Sequence, residues 1–178
     1  MSDFWVFGYG SLMWNPGFET IARMRGRMHG VHRALCVHSH VHRGTPQSPG
    51  LVLGLDRGGS CHGVALKVAG ARREATIAYL RERELVTQVY LETWRRVQLE
   101  NDDPVDALVY LVDRTHAQYA GRLSDQEIAR IVATSHGRSG NNLDYVRSTL
   151  AHLREAGIFD PHLEAVEQAL NGAGVRSV

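Results

Sequence analysis

The sequence predicts an α+β domain in which strands form a small curved sheet or barrel and helices pack around it. Patterns typical of strands dominate the first third of the 178 residues, and helical patterns dominate the last third. One long helical segment separates the early strands from a late apolar strand. Such segregation of strands and helices is typical of the α+β class. The length fits a single domain, 1–178, with a C-terminal helical portion from about residue 124.

Five segments have the composition of strands: residues 4–7, 35–42, 50–55, 62–68 and 106–112. The first is aromatic, contains valine and ends at a glycine. The Gly58-Gly59 pair predicts a turn between the third and fourth segments. The last segment is a continuous apolar run, which is typical of a central strand.

Five segments carry signals for helices or loops. Residues 71 to about 92 contain no glycine or proline and are rich in helix formers, which predicts one long helix. Ser124 and Glu127 have the spacing of a capping box and precede an apolar helical pattern. Residues 136–142 read as a loop. Further helices are predicted over residues 143–155 and 161–170.

The charge and cysteine content exclude several classes of protein. Lys plus Arg is 20 and Asp plus Glu is 19, which gives no electrostatic case for nucleic acid or an anionic membrane as partner. No apolar run approaches the roughly 20 residues that span a bilayer, and the N-terminus lacks a basic region. Two cysteines, Cys36 and Cys61, are too few for a disulfide scaffold. We expect a cytoplasmic protein that is a monomer or weak homodimer and binds a small molecule.

The segment Gly8-Tyr9-Gly10-Ser11-Leu12 directly follows the first strand and has three possible interpretations. A dinucleotide fingerprint fails because Met13 stands where the third glycine is needed. A nucleophile elbow around Ser11 would need glycines where Tyr9 and Met13 stand, so a serine hydrolase stays open with only weak support from the residues. A backbone cradle remains, in which the glycines allow positive φ and close approach, and N–H groups face an anion or a polarised carbonyl. The alternative is a tight turn without a ligand.

An acidic residue lies on the apolar stripe of the long predicted helix. Ile77, Leu80 and Glu84 share one helical face, so Glu84 is expected to be buried. Burial would raise the pKa of its carboxyl and suit it to proton transfer near neutral pH. The alternative is an ordinary ion pair with an arginine, for example Arg33, Arg43 or Arg81.

Three histidines alternate along the second predicted strand. His38, His40 and His42 would then lie on one face and could bind zinc or nickel. The alternative is a solvated or hydrogen-bonded strand face that carries no metal.

Several motifs together resemble the ChaC family of γ-glutamylcyclotransferases. "VFGYGSL" with the following Trp14-Asn15-Pro16, and "YLREREL" at residues 79–85, carry most of the resemblance. Further segments and the region around Tyr119 continue it, so that it covers about residues 4–155: residues 42–46, 49–55, 58–66, 106–112 and 128–146.

The resemblance implies a γ-glutamylcyclotransferase-like barrel with surrounding helices, and a reaction that converts glutathione into 5-oxoproline and Cys-Gly. It implies no metal and no organic cofactor. The family's catalytic glutamate falls on Glu84, and Tyr119 is a further candidate pocket residue. The family's γ-glutamyl-binding turn falls on seven residues here: Val6, Phe7, Gly8, Tyr9, Gly10, Ser11 and Leu12.

Two other functions stay open on the sequence alone. One is a cyclotransferase for other γ-glutamyl amines or amino acids. The other is a non-catalytic module that binds a γ-glutamyl group or a metal. Glu84 argues against the module, because pure binding does not need a proton carrier.

Overall fold

The computed structural model describes residues 2–174, which form two compact units. The first unit contains the residues up to His32 together with Leu55–Asp113. The second unit contains Arg33–Gly54 and the residues from Arg114 onward.

Five strands form a closed barrel in the order β1-β3-β2-β4-β5. The residues of β2 after His32 and those of β3 before Leu55 are counted with the second unit. The predicted α+β class with a small barrel is confirmed. The strands are β1 Phe4–Gly8, β2 Ala22–Ser39, β3 Gly50–Val68, β4 Tyr90–Leu99 and β5 Pro104–Val112.

Strand β1 is held on both edges. Val6 lies opposite Leu66 of the antiparallel β3 and opposite Leu108 of the parallel β5. All three side chains are fully buried. Because backbone hydrogen bonds and apolar packing fix the strand on both sides, the turn that follows it starts from a rigid position. Strand β5 also pairs with β4, so the predicted central position of this apolar segment is confirmed.

Two predicted strand boundaries are wrong. The second strand begins at Ala22 and ends at Ser39, so it is longer than residues 35–42 and stops before His40. Residues 50–68 form one strand, β3, where a turn at Gly58-Gly59 was expected. Both glycines have positive φ, +100° and +71°. Glycine inside a strand often marks a local bend or bulge, so the pair bends β3 without ending it.

The predicted helix over residues 71–92 is also too long. Helix α1 spans Arg73–Glu84, and β4 begins at Tyr90. Between them Gln88 has a φ of +57°, which a helix does not tolerate. Strand β4 pairs with β5 along nine residue pairs. This long-range ladder outweighs the local helical preference of residues 90–92.

The second unit contains three helices: α2 Asp125–Thr134, α3 Asn142–Glu155 and α4 Pro161–Gly172. The predicted capping box is confirmed, because Ser124 accepts from the Glu127 amide and the Glu127 carboxylate accepts from the Ser124 amide. The loop expected at residues 136–142 contains a short hairpin, β6 His136–Gly137 and β7 Gly140–Asn141.

Within residues 2–174, every helix is too short or too polar to cross a membrane. Cys36 and Cys61 are both buried thiols, as expected for small apolar side chains.

A buried ion pair anchors the start of α4. Arg33 Nη1 lies 2.5 Å from Asp160 Oδ2, and the two side chains are 1% and 9% exposed. The other carboxylate oxygen of Asp160 accepts from the Leu163 amide at 3.0 Å and so caps α4. One aspartate therefore neutralises a buried guanidinium and satisfies a helix end.

We expect Asp160→Asn to lower the free energy of unfolding by about 3–5 kcal/mol, because it removes the carboxylate charge that pairs with the buried Arg33 guanidinium. Asparagine preserves the helix cap, so the loss reports the ion pair. Urea unfolding measures the change. Glu100→Gln is the control: it breaks an exposed pair with Arg25 and should cost less than about 1 kcal/mol. Equal losses in the two variants would contradict the prediction.

Candidate active site

The chain leaves β1 through a single 3-10 turn at Ser11–Met13. The Met13 amide donates to the Gly10 carbonyl at 2.9 Å, and the Asn15 amide donates to the Ser11 carbonyl at 2.8 Å. The first amides of a helical turn have no acceptor within that turn. The amides of Ser11 and Leu12 can therefore donate to a bound group.

The two glycines before this turn act differently from the prediction. Neither Gly8 nor Gly10 has positive φ; φ of Gly10 is −136°. Instead, a Cβ atom on Gly8 would lie 3.2 Å from Leu12 Cβ and from the Met13 amide nitrogen. On the neighbouring strand, a Cβ atom on Gly63 would lie 2.3 Å from the Gly8 carbonyl oxygen. Glycine at positions 8 and 63 lets the chain pack closely around the end of β1.

The predicted turn residues differ in their accessibility. Gly10 is half-buried and Ser11 is exposed, whereas the others are buried: Val6, Phe7, Gly8, Tyr9 and Leu12. The Val6 and Phe7 side chains belong to the core. A ligand at this turn would therefore meet the Ser11 side chain and the backbone.

Glu84 is the last residue of α1. The helix buries Thr76 and Leu80, and Glu84 continues this row at four-residue spacing. Ile77 is half-buried, so the apolar stripe is rotated slightly from the predicted one. The Glu84 side chain is 19% exposed, which agrees with the expected burial.

Burial raises the pKa of the Glu84 carboxyl, and the nearby Arg83 cation opposes this shift only in part. A carboxylate at the C-terminal end of a helix also meets the negative end of the helix dipole, which favours the protonated form. Glu84 is therefore a carboxyl group whose proton affinity is increased toward neutral pH.

Arg83 connects this carboxyl group to the turn. Its Nε lies 3.2 Å from Glu84 Oε1. Its Nη2 donates to Ser11 Oγ at 2.9 Å. One guanidinium thus contacts both the candidate proton carrier and the exposed hydroxyl of the candidate binding turn.

Three further contacts hold the same guanidinium in place. Arg83 Nη1 donates to the carbonyl oxygens of Asn15 and Pro16 at 2.9 and 3.2 Å, and to Tyr79 Oη at 3.1 Å. The Tyr79 ring fits only because the next turn residue is Gly17, where a Cβ atom would lie 2.0 Å from Tyr79 Oη. Arg83 is therefore positioned by both the helix and the turn.

The alternative expected for Glu84, an ion pair with an arginine, is present, but the partner is Arg83 and none of the three arginines given as examples. Arg81 pairs with Glu92 on β4 through two contacts of 2.9 and 2.7 Å. Arg33 pairs with Asp160, and Arg43 Nη1 donates to the Ser139 carbonyl at 2.6 Å. The actual partner was missed because adjacent helical residues do not normally face each other. Arg83 reaches Glu84 at the point where the helix ends.

Tyr110, which was not predicted from the sequence, lies near enough to Glu84 for the charge of Glu84 to affect the pKa of the tyrosine hydroxyl. Tyr110 on β5 is buried, and its hydroxyl donates to Glu92 at 3.1 Å. Burial, then the charges of Glu92 and Glu84, raise the pKa of Tyr110. Continuing the β1–β5 register by two residues brings Gly8 level with Tyr110. These groups therefore gather at the end of β1.

A separate cavity of about 300 Å³ lies along the earlier part of α1. Its lining includes Phe18, Thr76 and Tyr79 and does not include Glu84 or Ser11. Phe18 and Tyr79 make an edge-to-face contact, with ring centroids 6.3 Å apart. The cavity shares only the Tyr79 side chain with the contacts of Arg83.

The family described as ChaC-like protein matches residues 4–173. The chain belongs to the ChaC-like family. It is 37% identical over 159 residues to a protein named glutathione-specific γ-glutamylcyclotransferase from Escherichia coli, covering 89% of this chain and 69% of that protein. It is 36% identical over 177 residues to glutathione-specific γ-glutamylcyclotransferase 1 from Danio rerio, covering 95% of this chain and 89% of that protein.

A solved structure supports the same fold for this ChaC-like chain. The crystal structure of a γ-glutamyl cyclotransferase specific to glutathione from yeast superposes with a TM-score of 0.87. The match covers 97% of each chain at 23% sequence identity. At this identity the similarity establishes the fold alone.

Tyr119 belongs to the second unit of the ChaC-like chain. It is half-buried and pairs with Val37 through an isolated β-bridge. The Arg114 guanidinium lies over its ring, 5.8 Å from the centroid. Its assignment to the substrate site stays a prediction from the resemblance.

The three alternating histidines do not share a strand face. Strand β2 ends at Ser39, so His40 and His42 lie beyond it. His38 and His40 stack with centroids 6.2 Å apart, whereas His42 Nδ1 bonds Ser139 Oγ at 2.9 Å. Over residues 2–174, no three His, Cys, Asp or Glu side chains are grouped to hold a metal ion. The expectation that the histidines alternate on one face is wrong.

We expect the Glu84 carboxyl to titrate above the ordinary range for glutamate, and Arg83→Met to raise its pKa further. Removing the cation takes away the one interaction that stabilises the charged form. Carbon-13 NMR of the glutamate side chains measures both values. The signal is assigned by its disappearance in Glu84→Gln. A downward shift in Arg83→Met would contradict this electrostatic account.

Proposed function

We propose that this ChaC-like chain is a glutathione-specific γ-glutamylcyclotransferase that releases 5-oxoproline and Cys-Gly. Glu84 is the general base and then the general acid. Family membership and relatives that carry this name at 36–37% identity support the reaction. The observation that carries the proposal is the partly buried Glu84, with its raised pKa, linked through Arg83 to the exposed Ser11.

The reaction closes a ring within one molecule. Glu84 takes a proton from the α-ammonium of the γ-glutamyl group, which frees the nitrogen lone pair. This nitrogen bonds to the γ-carbonyl carbon, and the bond from that carbon to the cysteine nitrogen breaks. Glu84 returns its proton to the leaving nitrogen, and the second hydrogen lost by the ring nitrogen completes the new ammonium of Cys-Gly. Because both reactants are already joined, the protein mainly selects the folded conformer and moves protons.

The turn after β1 holds the substrate in this proposal. The amides of Ser11 and Leu12 donate to substrate oxygen atoms, and the end of β1 supplies a rigid wall. Where such donors face a developing oxyanion, loss of one typically costs about 100- to 1,000-fold in rate. Tyr119 remains the further substrate-contacting candidate. The proposal includes no metal and no organic cofactor.

The proposal extends to the organisation of the chain. We infer one γ-glutamylcyclotransferase-like domain over residues 1–178, whose helical portion starts near residue 124. An uninterrupted family match over residues 4–173 supports this. A cytoplasmic monomer or weak homodimer with a small-molecule substrate is the form we propose, since two cysteines do not make a disulfide framework.

Glu84→Gln should lower the release of 5-oxoproline from glutathione by about 100- to 10,000-fold, because the amide keeps the size and cannot carry the proton. Glu82→Gln is the matched control, since Glu82 is exposed on the same helix and should remain near wild type. A folded Glu84→Gln protein with wild-type turnover would refute the assignment.

The same assay separates the alternative functions. Faster turnover of γ-Glu-Cys or γ-glutamyl amino acids than of glutathione would identify a broader cyclotransferase. Binding of glutathione without 5-oxoproline release by the wild-type chain would identify a non-catalytic module.

The pH profile should follow the same carboxyl. The base must be ionised, so kcat/KM should rise with pH through the raised pKa of Glu84 and level off above it. The midpoint of this acid limb should coincide with the carbon-13 titration of Glu84 in the free protein. A limb at a clearly different pH would assign proton transfer to another group.

A further inference from the structure

The hydrogen bond between Arg83 and Ser11 fixes the direction of the serine hydroxyl. A guanidinium can only donate, so Ser11 Oγ is the acceptor of the 2.9 Å contact with Arg83 Nη2. The single hydroxyl hydrogen must then point away from Arg83. Within residues 2–174, Ser11 Oγ has no second hydrogen-bond partner, and the residue is exposed. The hydroxyl is therefore a donor directed toward the outside of the turn.

The cation behind this hydroxyl is held firmly. Asn15 and Pro16 accept from Arg83 Nη1 through their carbonyl oxygens, and Tyr79 Oη adds a third contact. The Arg83 side chain is 23% exposed, so solvent screens its charge only in part. A fixed, partly buried cation strengthens the donor that it polarises.

We propose that Arg83 is a positioning residue that directs the Ser11 hydroxyl, as a donor, toward the α-carboxylate of the γ-glutamyl group while its Nε holds Glu84. This inference rests on the proposed function and deepens it.

The charges of the γ-glutamyl group decide which part of it meets Ser11. The group carries one ammonium, one carboxylate and one amide carbonyl. The ammonium must face Glu84, because that carboxylate takes its proton. The carboxylate is the only anion of the γ-glutamyl group, and it suits a hydroxyl donor that lies beside a cation at the first residue of the 3-10 turn. Arg83 contacts both Glu84, which faces the ammonium in this proposal, and Ser11, which faces the carboxylate.

A double-mutant cycle tests the link. Ser11→Ala and Arg83→Met should each reduce kcat/KM for glutathione by about ten- to 100-fold, the range expected for a hydrogen bond to a charged group. The double variant should have about the same kcat/KM as the less active of the two single variants, because either change removes the same interaction. Arg81→Met with Ser11→Ala is the control pair: Arg81 contacts Glu92, so its loss should multiply with that of Ser11→Ala.

A substrate analogue provides a second measurement, whose result would not change if a substitution only destabilised the fold. In this analogue of glutathione, a carboxamide replaces the α-carboxylate of the γ-glutamyl group. The analogue keeps the ammonium and the scissile amide but lacks the anion proposed to meet Ser11. Wild type should prefer the carboxylate form by about tenfold or more in kcat/KM, and Ser11→Ala and Arg83→Met should each lose most of that preference. Thermal unfolding of every variant verifies folding. If Arg83→Met does not fold, Arg83→Lys replaces it, since one ammonium cannot contact Ser11 and Glu84 with the geometry of the guanidinium fork.

The outcomes separate the two proposals. A wild-type chain that releases no 5-oxoproline from any γ-glutamyl compound overturns the proposed function. An active wild type in which the Ser11 and Arg83 losses multiply, or in which Ser11→Ala keeps the full carboxylate preference, overturns this inference alone. Sub-multiplicative losses together with a reduced preference in both variants support it.

Discussion

The guanidinium of Arg83 is the interaction on which the site depends. Its donors reach the turn after β1 and the carboxyl group at the end of α1 at the same time. The proposed binding turn and the proposed proton carrier, which lie about seventy residues apart in sequence, are thereby held in a fixed relation. A single planar cation with five donors can do this because Nε contacts Glu84 of α1, Nη2 contacts Ser11, and Nη1 contacts both the turn and Tyr79 of α1.

The charge of the same residue has a second consequence. Burial favours the protonated form of Glu84 and so raises the pKa of its carboxyl. The adjacent cation offsets part of that rise. Such opposing influences suit the role proposed for Glu84, since a group that both accepts and releases a proton works best with a pKa near the working pH.

The sequence predicted those parts of the fold that depend on local signals. The capping box at Ser124 places α2, and the aromatic run before Gly8 places β1, because neighbouring residues contain the necessary information. Strand β4 was missed because residues 90–92 have the composition of a helix, while nine cross-strand pairs with β5 determine its conformation. Propensity is a weak guide where a long-range ladder competes with it.

The candidate site was predictable to a similar extent. Helical spacing alone placed Glu84 on the buried face, and its burial follows. The role of Arg83 was not visible, because it depends on the chain folding back from Ser11 to the end of α1. Tyr110 was not predicted either, because it lies in an apolar run. The hydrogen bond of its hydroxyl to Glu92 depends on the pairing of β4 with β5.

If the chain acts on glutathione as proposed, its two cysteines would meet a thiol-containing peptide at high concentration, so their location matters. Thiol–disulfide exchange requires an accessible thiolate, and a buried thiol in apolar surroundings is seldom ionised. Cys36 and Cys61 are 1% and 2% exposed. Neither side chain therefore presents an accessible thiolate that could attack the disulfide of oxidised glutathione, so the chain would resist S-glutathionylation in an oxidising glutathione pool.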